Sequence, residues 1–391
     1  MNLLSMVVPL LAAVVSYDKA PVLEFPAVKG SRSYQTEIID AKGVSYPLIG
    51  SVEPKVSLAA LWPRLPQGEL TVICRRSLWT YTFDTDTEAG RVRIRKTTPP
   101  TETPRTLDRR LEPWMIQAHR GACDEAPENT LLAYKEALKR GFSLELDLYL
   151  TLDDVIYASH DYDLTQRQSG VNKLATNVYW KGELEFADPG RYRGEKWSGM
   201  KYPRWEEICA LVDRELQPKA TVSVEVKDPR KELITPKIAA VMAKYPGLTP
   251  ERVQFNNNMP MTKRCFPGYT DTGCMLVREG WKPGDKPLDV KAKIDALAKE
   301  DFKIWAPRWD FELVTAEMIA YAHSKGMKVV VWTVNHPADA LEAFRRGADF
   351  VNTDRPIKLY EELGKIWSRG WGQAPDGTFW NNHSLRDDRA R

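Results

Sequence analysis

The sequence predicts an α/β fold, a (β/α)8 barrel preceded by a small all-β, sandwich-like domain, and three observations carry that reading. Beyond Leu111, short apolar strand-like runs alternate with helix-like segments, the order expected of a parallel α/β architecture. Before Arg95 the chain instead offers short β-like runs separated by turn residues. Between them lies Thr97-Thr98-Pro99-Pro100-Thr101-Glu102-Thr103-Pro104, which lacks apolar periodicity and is stiffened by proline, and so reads as a semi-rigid linker.

A chain of 391 residues accommodates one large core plus a smaller partner. The expected division is residues 1–16 as a signal peptide, 17–96 as the β-rich domain, 97–110 as the linker, 111–362 as the barrel and 363–391 as a tail. Lysine plus arginine exceed aspartate plus glutamate by only 56 to 53, without long basic runs, which argues against nucleic acid as a partner. The five cysteines form no CxxC pair, so a thiolate zinc site is not expected; Cys265 and Cys274 could pair in an oxidising compartment, but buried or free thiols are the favoured reading.

The apolar run Leu3 to Val15, with small residues Val14 and Ser16 before a possible cleavage, reads as a secretory signal and implies export to a periplasmic or extracellular compartment. No lysine or arginine precedes Lys19, and a buried strand is the competing reading. At 13 residues the run is too short to span a bilayer, and no transmembrane segment is expected.

In the first domain the expected strands are Tyr34 to Ile39, Val56 to Leu61, Leu70 to Cys74, Leu78 to Phe83 and Val92 to Ile94. In the second they are Met115 to Ala118, Leu144 to Leu150, Val155 to Ser159, Thr221 to Lys227, Val253 to Phe255, Cys274 to Val277, Ile304 to Ala306, Val329 to Val334 and Phe350 to Asn352. That is one segment more than a barrel needs, and a doubly wound open sheet is the alternative. A helix capped by Asn129 or Thr130 and stopped by Gly141 is expected, with others at Trp205 to Glu215, Val290 to Lys299, Ala316 to Ser324 and Pro337 to Arg346.

Two strands carry an unusual pattern. Leu144, Leu146, Leu148 and Leu150 share one face while Glu145, Asp147 and Tyr149 share the other; Val222, Val224 and Val226 likewise oppose Ser223, Glu225 and Lys227. In a barrel the aliphatic face packs under helices and the carboxylates point into the lumen, where Glu145, Asp147 and Glu225 would make a hard oxygen site for one divalent cation, Mg2+ or Ca2+. Structural ion pairs make similar patterns. Two of the five histidines, His119 and His160, follow expected strands, the end of a barrel where active sites lie.

These residues together resemble the glycerophosphodiester phosphodiesterase family. The matching stretches are His119-Arg120-Gly121, Pro127-Glu128-Asn129-Thr130, Glu145-x-Asp147, Thr151-x-Asp153, His160-Asp161, Leu164, Arg167, Gly170, Glu225-x-Lys227, Trp332-Thr333-Val334-Asn335 and Thr353-Asp354-x-Pro356. The resemblance implies a TIM barrel that hydrolyses glycerophosphodiesters, such as deacylated phospholipids, to sn-glycerol 3-phosphate and an alcohol. It further implies that Glu145, Asp147 and Glu225 hold the cation, that His119 and His160 act as general acid and base, that Arg120 and Lys227 hold the phosphate, and that Trp332 lines the substrate end. Both direct attack by water and a cyclic phosphate route are compatible with it.

Some positions depart from the family pattern: Gln168 for threonine, Asp154 for glycine and Gln254 for serine. Asn335 and Asp354 are explained equally well as turn residues, and the aromatic-rich stretch Tyr179 to Trp205 as a loop over the mouth or one packed on its own rings. The alternatives are a lipid phosphodiesterase of the sphingomyelinase D type and a catalytically silent binding protein whose β domain holds an unknown partner.

Overall fold

The computed structural model describes residues 14–368 apart from 30, 32, 44, 48–52, 60–61, 64, 78–87, 102–109, 168, 276–288, 310–312 and 336. The chain divides into two compact units: residues to Leu111 with Asn335–Arg345 and residues from Glu361 on, and Glu112–Val334 with Arg346–Tyr360.

The first unit contains β1 (Val15–Tyr17), β2 (Val22–Glu24), β3 (Ser33–Asp40), β4 (Ser45–Pro47), β5 (Lys55–Ser57), β6 (Gly68–Ser77) and β7 (Glu88–Lys96). Five form a sheet in the order β1-β7-β6-β3-β4, and β2 pairs with β5. Alternation places Ile38, Leu70, Val72 and Ile94 on one face, where they pack with Leu23 and Val56 of the small sheet and with Leu58, Trp62 and Leu65. The two layers sharing one core are the sandwich-like arrangement expected, but not a purely antiparallel one: β1 runs parallel to β7, with Val15 opposite Ile94. The cleavage expected after Ser16 falls inside β1, and residues 1–13 and the expected strand Leu78 to Phe83 lie outside the described residues.

The second unit begins with β8 (Ile116–Ala118), α1 (Leu131–Lys139), β9 (Ser143–Leu150) and β10 (Ile156–Ala158). It continues through α2 (Trp205–Glu215), β11 (Val222–Val226), α3 (Lys231–Met242), β12 (Val253–Asn256), α4 (Met259–Cys265) and β13 (Thr272–Met275). Then come α5 (Val290–Lys299), β14 (Ile304–Pro307), α6 (Ala316–Ser324), β15 (Lys328–Val331) and β16 (Phe350–Thr353), whereas α7 (Pro337–Arg346), save its last residue, and the part of α8 (Pro356–Ser368) from Glu361 on group with the first unit. Eight parallel strands follow the order β12-β11-β9-β8-β16-β15-β14-β13, and a bridge from Phe255 to Asp271 joins the two ends. The result is a nearly closed barrel, not the open doubly wound sheet. β10 is the surplus ninth segment: it folds back antiparallel on β9, with Ala158 opposite Leu148.

Local chemistry explains the helix boundaries. Thr130, not Asn129, caps α1 by accepting from the Ala133 amide, and Gly141 ends it at φ 76°. Helices α3, α4 and α8 were not foreseen. Pro236 inside α3 interrupts the pattern by which a helix is read, and α4 is only seven residues long. None of the five cysteines forms a disulfide, and no helix among the described residues is long and apolar enough to cross a membrane.

Candidate active site at the strand ends

Strand register assembles the site. Ser223 lies opposite Glu145 and Gln254, Glu225 opposite Asp147, and Asn352 opposite Gln117, so these polar residues share the inward face while the leucines and valines of β9 and β11 face outward. Across the lumen, Ile304, Ala306, Val330 and Phe350 form an apolar cluster against which Trp332 packs.

The three predicted carboxylates do converge. Glu145, Asp147 and Glu225 each offer an oxygen within 4.8 Å of the others. Glu145 and Asp147 are almost fully buried. Burial first, and then the charges of Asp147 and Glu225, push the Glu145 carboxyl well above the usual range. Burial acts in the same sense on Asp147, but His160, Arg120, Lys227 and Asn129 outweigh it and hold that carboxyl low. One oxygen of Asp147, Oδ1, is buried without a hydrogen-bond donor. A crowded, hard-oxygen donor set with an unsatisfied buried oxygen suits a divalent cation.

The two predicted cations flank this cluster. Lys227 Nζ is 2.8 Å from Glu225 Oε1 and 3.8 Å from Asp147 Oδ1. Burial opposes its charged form, yet Asp147 and Glu225 keep its pKa above the ordinary lysine value. Arg120 Nη1 donates to both oxygens of Glu128 at 3.1 and 3.2 Å, its Nε lies 3.6 Å from Asp147 Oδ2, and its backbone amide donates to Glu145 Oε2 at 3.0 Å. The turn that achieves this needs φ 60° at Arg120 and 91° at Gly121, and a Cβ on Gly121 would stand 2.7 Å from that of Ala133.

The histidines occupy different settings. His119 Nδ1 is 2.5 Å from Asp354 Oδ1, which makes it the protonated nitrogen, while Nε2 faces Glu145 Oε2 at 3.9 Å. Burial and Arg120 lower its pKa against the raising influence of Asp354 and Asp147, so the ring is neutral near neutral pH. His160 is more exposed, and its Nδ1 lies 3.0 Å from Asp161. β10 brings it back to the cluster, because the amide of Ser159 donates to the carbonyl of Asp147.

Trp332 is held by its indole donating to the Ala306 carbonyl at 2.8 Å and belongs to the apolar side of the lumen rather than to the carboxylates. Two further residues matter that were not put forward as site residues. Asp354 orients His119, and Asn129 donates to Asp147 Oδ2 at 2.9 Å while accepting from the Tyr134 hydroxyl. Both lie inside motifs quoted above; their sequence signal was ambiguous because Asn and Asp in such places also make turns.

Comparison with known proteins decides the family. The family model described as "Glycerophosphoryl diester phosphodiesterase family" matches residues 119–358, well over half the chain. The chain belongs to this family. Among curated relatives, the human lysophospholipase D GDPD1 is 25% identical over 281 residues, covering 63% of this chain and 85% of its own length. A glycerophosphodiester phosphodiesterase of Caldanaerobacter subterraneus is 23% identical, covering 64% of this chain and 98% of its own. Of solved structures, an Oleispira antarctica phosphodiesterase in complex with the product sn-glycerol-3-phosphate superposes with a TM-score of 0.53 at 20% identity, over 64% of this chain and 96% of that one. The family member described here is therefore a phosphodiesterase on a TIM barrel.

Proposed function

We propose that the enzyme hydrolyses glycerophosphodiesters to sn-glycerol 3-phosphate and an alcohol, with proton transfer divided between His119 and His160. The observation that carries this reading is the placement of the His119 imidazole, its Nδ1 held by Asp354 and its Nε2 turned to Glu145 of the Glu145, Asp147 and Glu225 cluster. A divalent cation held by those three carboxylates would offset the negative charge of the phosphoryl oxygens. Lys227 and Arg120 add fixed positive charge at the same place.

His119 Nε2 takes the proton from the attacking hydroxyl as its oxygen bonds to phosphorus. His160 gives a proton to the departing alkoxide as the second P–O bond breaks. The reading is supported by the Caldanaerobacter relative's name and by the product bound in the Oleispira enzyme. The relatives named lysophospholipase D support extending the substrates to monoacyl glycerophosphodiesters. The silent binding protein is the weaker alternative, since the convergence of the three carboxylates beside His119 supports a working site.

The test is turnover of glycerophosphocholine, glycerophosphoethanolamine and lysophosphatidylcholine with Mg2+, Ca2+ or chelator. Product release from at least one, abolished by chelator and by His119→Ala, is the expected outcome; binding without turnover under every condition would favour the silent reading. Following the reaction by 31P NMR distinguishes the routes: a transient cyclic phosphate means the substrate's own glycerol hydroxyl attacks, and its absence means water does.

A further inference from the structure

Between β10 and α2 the chain makes a long excursion that carries several of the molecule's most exposed large apolar side chains. Phe186 is 73% exposed, and Tyr162, Leu174 and Tyr179 are each more than 40% exposed. The module is well built beneath them: Val171, Ala175, Val178, Leu184 and Ala187 pack with Tyr149, Tyr157 and Tyr202. These outer rings therefore stand on an ordered support. They are not the residue of a loop lacking a core.

The module borders the catalytic mouth. Tyr162 lies 6.3 Å, ring to ring, from Tyr149 of β9, whose hydroxyl donates to the carbonyl of His160. Arg193 donates at 2.9 Å to the carbonyl of Cys123, in the loop that follows His119 and Arg120.

Its charges are sorted. Residues 189–204 hold five cationic side chains against one acidic side chain, Glu195, and Arg191, Lys196, Lys201 and Arg204 are all exposed. Two of the module's acids are occupied within it, Glu183 by Lys173 and the Tyr179 amide and Asp188 by Gly190, Ser198 and Gly199, and Asp153, just before β10, accepts from the module's Trp180 and Lys181 amides. The cations adjoin aromatic rings: Lys196 Nζ stands 4.5 Å from the Trp197 ring centroid, and Lys201 donates to the carbonyl of Glu185, next to Phe186. Exposed aromatics beside outward cations, at the rim of a site for phosphodiesters, complement a surface that is apolar just beneath a layer of anionic phosphates.

We propose that the 161–204 module docks the catalytic mouth onto an anionic lipid surface, so that the enzyme draws amphiphilic glycerophosphodiesters directly from it. This rests on the activity proposed above and assigns the class of substrate. Phe186 and its neighbours enter the acyl boundary, and Arg191, Lys196 and Lys201 meet the phosphates.

The experiment uses the full chain with vesicles of phosphatidylglycerol and phosphatidylcholine, or of phosphatidylcholine alone, in co-sedimentation. Turnover is measured in parallel on soluble glycerophosphocholine and on vesicle-borne lysophosphatidylglycerol. Wild type is expected to sediment with the anionic vesicles and to be released by salt. Phe186→Ser and the double variant Arg191→Glu/Lys196→Glu should each lose about tenfold or more in vesicle affinity and in turnover of the vesicle-borne substrate, with soluble turnover within about twofold of wild type. Unchanged thermal unfolding shows that the variants are folded.

Failure of wild type to bind anionic vesicles, or binding indifferent to both variants, overturns the proposal. So does a wild-type dimer in sedimentation velocity that Phe186→Ser dissociates, since a second copy would then be the occupant. Absent turnover of every soluble diester with intact vesicle binding would count against the proposed activity and leave docking standing.

Discussion

The two sides of the barrel lumen are built alike and do different work. On one, β8, β9, β11 and β12 turn Gln117, Glu145, Asp147, Glu225 and Gln254 inward; on the other, β14, β15 and the start of β16 turn in Ile304, Ala306, Val330 and Phe350. The backbone geometry is common to both, so chemistry comes from the inward alternate residues alone. A carboxylate cluster can persist in the buried half because a lysine, an arginine and buried amides surround it, while the opposite half needs no polar partner and supplies the barrel's cohesion.

The largest effect should follow from breaking the charged side. Asp147→Ala removes the carboxylate that lies within ion-pair reach of both Arg120 and Lys227, at 3.6 and 3.8 Å, and is expected to reduce kcat/KM by roughly 10³-fold or more, as should chelation. Activity restored by excess metal in chelated wild type but not in the variant would separate lost affinity from lost geometry. An unaffected variant would mean that the cluster is structural.

Next comes the orientation of His119. Asp354→Asn keeps the shape but removes the charge, with an expected loss of about 10–100-fold in kcat/KM. The sign of the accompanying pH effect is determined: Asp354 raises the His119 pKa, so its removal lowers it, and the acid limb of the kcat/KM profile should move to lower pH. A shift to higher pH, or none, would show that Asp354 does not govern this ring.

The apolar side should respond in stability and not in rate. Val330→Ala is expected to cost on the order of 2 kcal/mol in chemical unfolding, with kcat/KM on a soluble diester within about twofold of wild type. A comparable loss of rate would erase the division between the halves.

The last effect, one with no expected consequence for rate, concerns the seam where β12 meets β13. Asp271 is buried and accepts from the Thr262 hydroxyl at 3.0 Å; burial raises its carboxyl to about 6 from the ordinary 3.8. Between those pH values the folded state holds this proton more tightly than the unfolded chain does. Stability therefore falls as pH rises through that window, and the loss is complete above about 6. Asp271→Asn should remove that slope, gaining on the order of 2–3 kcal/mol on wild type between pH 4 and pH 8. Parallel stability curves for the two proteins would contradict it.

Much of this was legible in the sequence because strand alternation and barrel geometry are simple. The leucines of β9 and valines of β11 already told which residues face inward, and the five-residue core of β11 shows how few residues are needed. What could not be read was long-range pairing. Nothing local in Val155 to Ser159 says that it turns back on β9, although Asp154, which stands in place of a glycine and adopts φ 67°, marks the turn. Asp354 meets His119 from 235 residues away, a contact that only barrel closure creates. Arg120 was assigned to phosphate without its hold on Glu128, because the left-handed turn that sets it there is invisible in a motif.

The excursion between β10 and α2 leaves and rejoins the barrel at almost one point: the amide of Ala158 donates to the carbonyl of Pro203, and Tyr157 bridges to Arg204. With its ends closed in this way, the module can lengthen, shorten or be exchanged while the strands carrying the carboxylates stay in place. Such a joint lets the choice of substrate drift or be engineered separately from the bond-breaking chemistry, as a new head is fitted to an unchanged tool.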